Sequence, residues 1–329
     1  MKNISFDRIK ILVTSGCNLR CNHCYQHFEK NKYFLTETQI FRLIDYACDH
    51  HVRILDFSGG EFFTHPSAYE IIEYCHKKKV DINIATNGID VNVDIFEKYK
   101  SQDFISIQVS LDGMRDNHEA RRGAGTWDKV MSTVKKLKSL GIKVTANMVL
   151  DSDNYLDAIS VLQLPDFSEV FFTPIAYVGA AANARVKANV EGYEEFICQL
   201  FREFVCDEEE FSKQIFPYVL AVKYDGCVYI SPIASDYALM SIGDINSEDI
   251  AAICDKYYES DNFKQLENLD VNSIKKCNCC SASNICDRGN RLRALKFHGD
   301  IMAQDPFLCR IYLDEYKNIA IGDLFWGMM

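Results

Sequence analysis

The chain holds only 6 prolines and 2 tryptophans in 329 residues, and its basic residues form no long run. So little proline beside 48% hydrophobic residues excludes an extended or disordered chain. No uninterrupted apolar stretch approaches ~18 residues, so no membrane span is expected. The N-terminal MKNISFDRIKILVTSG has a short apolar patch but lacks the small-residue cleavage site of a secretory signal. A cytoplasmic protein is therefore expected. A formal net charge of −11 without a basic cluster argues against gripping phosphates, so no nucleic acid partner is expected either.

Cysteine is what the chain has in excess. Fourteen thiols without an export signal point to metal ligation rather than disulfides. Cys17, Cys21 and Cys24 sit in a C-x3-C-x2-C spacing, with Tyr25 directly after the last. Cys277, Cys279, Cys280, Cys286 and Cys309 fall in the last third. The remaining six are scattered singly, and Cys48, Cys75 and Cys198 read as small buried apolar residues of helices.

The first two-thirds alternate β-branched runs with helical stretches. DRIKILVT (7–14) reads as a strand, and LTETQIFRLIDYACDHH (35–51) as a helix capped by Thr36. VRILDFSGGE, VDINIATNG, FISIQVSLDG (104–113), IKVTANMVL (142–150) and SEVFFTPIA (168–176) repeat the strand pattern. Helices are expected over 66–79 and over WDKVMSTVKKLKSLG, ending at Gly141. The fold class is thus α/β, about six parallel units where a closed barrel has eight: a partial (β/α)6 TIM-like barrel. Polar and glycine signals fall at the strand ends, the edge where such folds bind ligands. A long helical segment covers 191–211. Beyond it the texture changes: LAVKYDGCVYISP (220–232) reads as a hairpin around Asp225–Gly226, and a cysteine-rich stretch follows. We divide the chain into 1–215 and 216–329.

Three thiolates at this spacing can hold three irons of a [4Fe–4S] cluster and leave the fourth iron open. The alternative is a zinc knuckle completed by His23 or His27.

The triad on a first β/α loop, with its following aromatic, resembles the radical S-adenosylmethionine (SAM) superfamily. Gly59–Gly60–Glu61 matches that family's GGE, which holds the methionine amine of SAM. Thr86–Asn87–Gly88 and Ser110–Leu111–Asp112–Gly113 match positions lining the SAM ribose and carboxylate. HEARRGAG (118–125) resembles the family's arginine–glycine segment, which sets Arg122 near the carboxylate, and Asn147 and Thr173 are further contacts. The resemblance implies a [4Fe–4S] cluster that chelates SAM and, once reduced by a donor such as flavodoxin or ferredoxin, yields a 5′-deoxyadenosyl radical.

Cys277-x2-Cys280-x5-Cys286 with Cys309 resembles the C-terminal SPASM domain of the same superfamily. That domain carries two auxiliary [4Fe–4S] clusters. Ser231 and Asn290 stand where the family has cysteine, and no cysteine lies nine to fifteen residues before Gly226. Those positions ligate the inner cluster. One auxiliary cluster is therefore expected, on Cys277, Cys280, Cys286 and Cys309, with a structural zinc as the alternative. Cys279 is left over. Cys227, beside the hairpin turn, is a candidate hydrogen donor to a substrate radical or an ordinary hairpin cysteine.

Relatives with this two-part build mostly modify peptides, by crosslinking, epimerisation or formylglycine formation. The last is less expected, because Ser231–Pro232 replaces a cysteine and its following aspartate. The alternatives are a dehydrogenase or isomerase acting on a small molecule, and a non-catalytic electron relay. The first strand begins at Asp7, which leaves no room before it for a leader-peptide-binding domain. Recognition of a peptide is then expected from the barrel mouth, the C-terminal region, the loop Ala176–Val190 or a separate leader-peptide-binding partner.

Overall fold

The computed structural model describes residues 6–25, 32–175, 180–181, 191–204, 219–230, 241–259, 264, 273–283, 286, 289, 291–313 and 315. His27, Ser231, Pro232, Asn290 and most of the loop Ala176–Val190 lie outside the described residues, as does the division at residue 215.

Six strands follow the expected series: β1 (Arg8–Leu12), β2 (Ile54–Ser58), β3 (Ile82–Thr86), β4 (Ile105–Ser110), β5 (Lys143–Leu150) and β6 (Glu169–Pro174). Each pairs in parallel with the next. Helices α1 (Glu37–Asp49), α2 (Ala68–Lys78), α3 (Arg115–Arg122), α4 (Thr126–Ser139) and α5 (Ala158–Leu162) connect them, and α6 (Glu191–Phe204) follows. Thr36 caps α1 reciprocally: its hydroxyl accepts from Gln39 N, while the Gln39 side chain accepts from Thr36 N. The chain leaves α4 through Gly141 at φ +74°, where an L side chain would be strained.

The hairpin is found as expected, with β7 (Val219–Val222) antiparallel to β8 (Cys227–Tyr229). Its place in the fold is a finding. β7 pairs in parallel with β1, so one nine-stranded sheet runs β6-β5-β4-β3-β2-β1-β7-β8-β9, closed off by β9 (Ser241–Asp244). Helices α7 (Ile250–Glu259), α8 (Lys275–Asn278), α9 (Arg291–His298) and α10 (Pro306–Tyr312) complete the described structure.

Strand alternation sorts the two faces of the sheet. Ile9, Ile11, Leu55, Phe57, Ile84 and Ile107 are wholly buried in the core cluster shared with the helices. Their neighbours Lys10, Asp56, Asn83 and Ser106 point to the opposite, inner face and are only half-buried. A concave polar lumen results, with its mouth at the strand ends.

Phe57 is 0% exposed against Phe62. Phe57→Ala is expected to cost about 3–5 kcal/mol in urea unfolding. Leu156→Ser, at a side chain 78% exposed, should change stability by less than about 0.5 kcal/mol.

Candidate functional site

The loop carrying the triad leaves β1 at Val13 and returns through Tyr33–Leu35. Thr14 bridges Phe34, Ser15 N donates to Tyr33 O and Leu35 N donates to Val13 O, so the excursion is closed at its base. The β2 loop grips it. Gly60 N donates to Thr14 O at 2.7 Å and Glu61 N to Gly16 O at 2.8 Å. A Cβ on Gly59 would lie 2.5 Å from Thr14 O, and one on Gly60 2.3 Å from Gly16 O. Both glycines are therefore required by a backbone-to-backbone approach, whatever else they contact.

Glu61 is 2% exposed. Its Oε1 accepts from Thr86 Oγ1 at 2.7 Å and Phe63 N at 3.1 Å, and its Oε2 accepts from Asn87 N at 2.7 Å. Burial nevertheless pushes its carboxyl above the ordinary range, against these hydrogen bonds. Asn87 also reaches the triad, donating to Asn18 Oδ1 at 2.7 Å and lying 3.8 Å from Cys17 Sγ. Cys21 is 8% exposed, Cys17 and Cys24 are half-buried, and burial raises the thiol pKa of Cys17 and Cys21. Tyr25 follows, half-buried. The carbonyl of Cys24 accepts from the N–H of Ala181, a buried residue of the loop Ala176–Val190.

Arg122 stands beside the triad, with Nη1 3.8 Å from Cys21 Sγ. Asp112 holds it there through Arg122 Nε at 2.6 Å, and the same oxygen meets His23 Nε2 at 2.8 Å. Asp112 is wholly buried and its other oxygen accepts from Val149 N. The expectation that Asp112 lines the cofactor carboxylate thus meets a side chain spent on Arg122, His23 and the backbone. Its carboxyl is held well below the ordinary range by Arg122 and His23, which overcome burial.

His23 is 7% exposed, and its Nδ1 lies against Asn22 Oδ1. With both ring nitrogens engaged, it is not placed as a fourth metal ligand. The sequence offered His23 only in that role and did not single out His118 as a support. His118 is fully buried, its Nδ1 accepts from Asp112 N, and Trp127 covers its ring edge-on. A histidine six residues after a strand-end aspartate is the signal that could have marked it. Ser110 and Asn147 are register partners on β4 and β5, and Thr173 donates to Asn147 Oδ1 at 2.8 Å.

A second cluster of thiols lies in the C-terminal region. Cys277, Cys280, Cys286 and Cys309 line one small pocket, with Ala282, Leu308, Tyr312 and Leu313 among its walls. Burial first, then Asp305 and the other three thiols, push Cys309 up to about 12. Asp305 caps α10 and forms a bidentate pair with the buried Arg293. Cys279 is exposed and does not line the cavity. Cys227 opens β8 half-buried, packing beside Ala221 and Tyr229 on the inner face.

An open α/β barrel with three grouped thiols and a buried carboxylate on adjoining strand-end loops is a framework for a metal-bound cofactor. Residues 11–162 match the Radical SAM superfamily, and the chain carries a radical SAM domain. That domain uses a [4Fe–4S] cluster binding SAM. The antilisterial bacteriocin subtilosin biosynthesis protein AlbA of Bacillus subtilis is 30% identical over 43% of this chain, and the chain spans 33% of its length. Fe-coproporphyrin III synthase of Methanosarcina barkeri is 21% identical over 89% of this chain and 85% of its own. The fold is that of Streptococcus suis SuiB bound to precursor peptide SuiA, with a TM-score of 0.69 at 15% identity over 91% of this chain and 75% of SuiB. Among the described residues no helix is long and apolar enough to cross a membrane.

Gly60→Ala should force the β2 loop off the triad loop. A destabilisation of about 1–3 kcal/mol is expected, with lower iron retention after anaerobic reconstitution.

His118 titrates at about 4, depressed by burial first and by Arg122, whereas the unfolded chain takes up its proton near 6.5. Its contribution is complete above about pH 6.5 and is lost as pH falls toward 4, up to about 3 kcal/mol. Urea unfolding of the metal-free protein at several pH values should show this slope, and His118→Asn should flatten it.

Proposed function

We propose that the protein is a radical SAM enzyme that modifies a peptide. The observation that carries the reading is the meeting of the triad loop, the Gly59–Gly60–Glu61 turn and Asn87 at one strand-end edge inside the matched domain. The donor set fits the cofactors. Three thiols stand on one loop whose nearest histidine is engaged elsewhere, and a second set of four lines a cavity with apolar walls.

On this reading Cys17, Cys21 and Cys24 hold the cluster that binds SAM. Cys277, Cys280, Cys286 and Cys309 hold one auxiliary [4Fe–4S] cluster. Together the reduced cluster and SAM supply a 5′-deoxyadenosyl radical able to take a hydrogen atom that acids and bases cannot remove. The protein supplies position and charge. Glu61 is a buried carboxylate whose raised pKa an amine in its reach would lower again, so it suits the SAM amine. Arg122, fixed by Asp112 and His23, presents a guanidinium to a carboxylate beside Cys21. Thr86 orients Glu61, and Ser110, Asn147 and Thr173 line the inner wall toward the ribose. Tyr25 flanks the triad. Cys227, half-buried beside Ala221 and Tyr229, is the candidate to return a hydrogen atom.

The division 1–215 and 216–329 puts the radical-forming triad in the first part and the auxiliary-cluster thiols in the second, while β7, β8 and β9 of the second continue the sheet of the first. An electron donor such as flavodoxin or ferredoxin and a separate leader-peptide-binding partner complete the proposal. The names of AlbA and SuiB's bound precursor support a peptide substrate. A small-molecule substrate is the second reading, favoured by the match to Fe-coproporphyrin III synthase across most of both chains.

Reconstituted protein should hold about eight irons, falling to about four in the Cys17/Cys21/Cys24→Ala triple variant. With dithionite it should convert SAM to 5′-deoxyadenosine, and Glu61→Gln should weaken SAM binding at least about tenfold. Iron without SAM cleavage would leave an electron relay instead. Zinc in the C-terminal site would make that site structural.

A further inference from the structure

Among the described residues, the wall of the C-terminal thiol pocket holds a single charged side chain, that of Asp305. The residue is 2% exposed. Its position follows from its backbone role. Its side chain accepts from Phe307 N at 2.9 Å to cap α10, and its carbonyl accepts from Cys309 N at 3.0 Å. Asp305 thus starts the helical turn that carries Cys309. A Cβ on Gly289, at φ +69°, would lie 2.4 Å from Asp305 Oδ2, so the chain closes on the carboxylate from another side as well. The result is a fixed negative charge beside four thiols. Burial, and after it Asp305, push the Cys309 thiol up.

Arg293 stands behind that carboxylate and does not itself line the pocket. Its Nε donates to Asp305 Oδ1 and its Nη2 to Asp305 Oδ2, both at 2.8 Å, with the two side chains almost wholly buried. The guanidinium also lies 4.7 Å from the centre of the Phe307 ring.

We propose that Arg293 is a positioning residue that sets the reduction potential of the C-terminal auxiliary cluster by cancelling the charge of Asp305. The inference rests on the reading that Cys277, Cys280, Cys286 and Cys309 hold a [4Fe–4S] cluster. Four thiolates make such a centre anionic, and one electron from the flavodoxin- or ferredoxin-type donor adds a further negative charge. A bare carboxylate at the wall opposes that electron, and in a buried site solvent and salt screen the opposition poorly. The guanidinium removes it and leaves the cap on α10 intact.

The test is the midpoint potential of the C-terminal cluster in the full chain carrying Cys17/Cys21/Cys24→Ala. The protein is reconstituted anaerobically, poised with dithionite and mediators at alkaline pH to keep the carboxylate ionised, and read by electron paramagnetic resonance. Arg293→Gln leaves Asp305 uncompensated and should lower the potential. Asp305→Asn retains a capping side chain, leaves Arg293 uncompensated and should raise it. Each shift is expected to change the reduced-to-oxidised ratio at fixed potential at least about tenfold, which is ~59 mV for one electron. Arg293→Lys keeps the charge but loses the fork, and should stay near the parent. Shifts of the same sign, no shift, or a Lys variant that behaves as the Gln variant would overturn the role, because each is what a purely structural pair gives. Zinc or no metal in the triple variant before any further substitution would fail the cluster reading itself, and this inference with it.

Discussion

The structure turns on a contact between two pieces of backbone. The β2 loop must come so near the triad loop that its amides at Gly60 and Glu61 bond the carbonyls of Thr14 and Gly16. Only residues without a Cβ fit there. That contact fixes the loop carrying Cys17, Cys21 and Cys24 relative to Glu61. Glu61 in turn fixes the end of β3 through Thr86 and Asn87. Three strand ends are thereby joined into one edge before any side chain meets a ligand.

The alternation of β-branched runs and amphipathic helices was legible because both periods follow from burial on one face. The six strands, the Thr36 cap and the exit at Gly141 lie where that pattern puts them. The thiols and the GGE turn were legible as local motifs. Less visible were the supports whose meaning comes from distant partners. Asp112, His23 and Arg122 meet across three separate segments, and no spacing in the sequence announces it. The pairing of β7 with β1 was hidden for the same reason. A short apolar run says that it is a strand but not which neighbour it takes.

Polar burial is concentrated where the fold serves chemistry. Asp112, Arg122, His23 and Glu61 are nearly excluded from water, and each is held by several partners. Such networks are rigid when complete and expensive when one member is lost. Around the second thiol cavity, Asp305 plays a comparable part by capping α10 and clamping Arg293. Both thiol sets thus sit on loops and short helices stiffened by buried charge rather than by apolar packing alone.

The sheet order has a consequence for how the chain is made. β1 lies in the interior of the sheet, and one of its two neighbours, β7, begins at Val219. At roughly 5–20 residues per second on the ribosome, β1 waits roughly 10–40 seconds with one hydrogen-bonding edge bare. Such an edge is a template for pairing with other chains. The strand that leads into the triad is therefore completed only after β2 to β6 have been made, and its bare edge is exposed to wrong pairing throughout that interval.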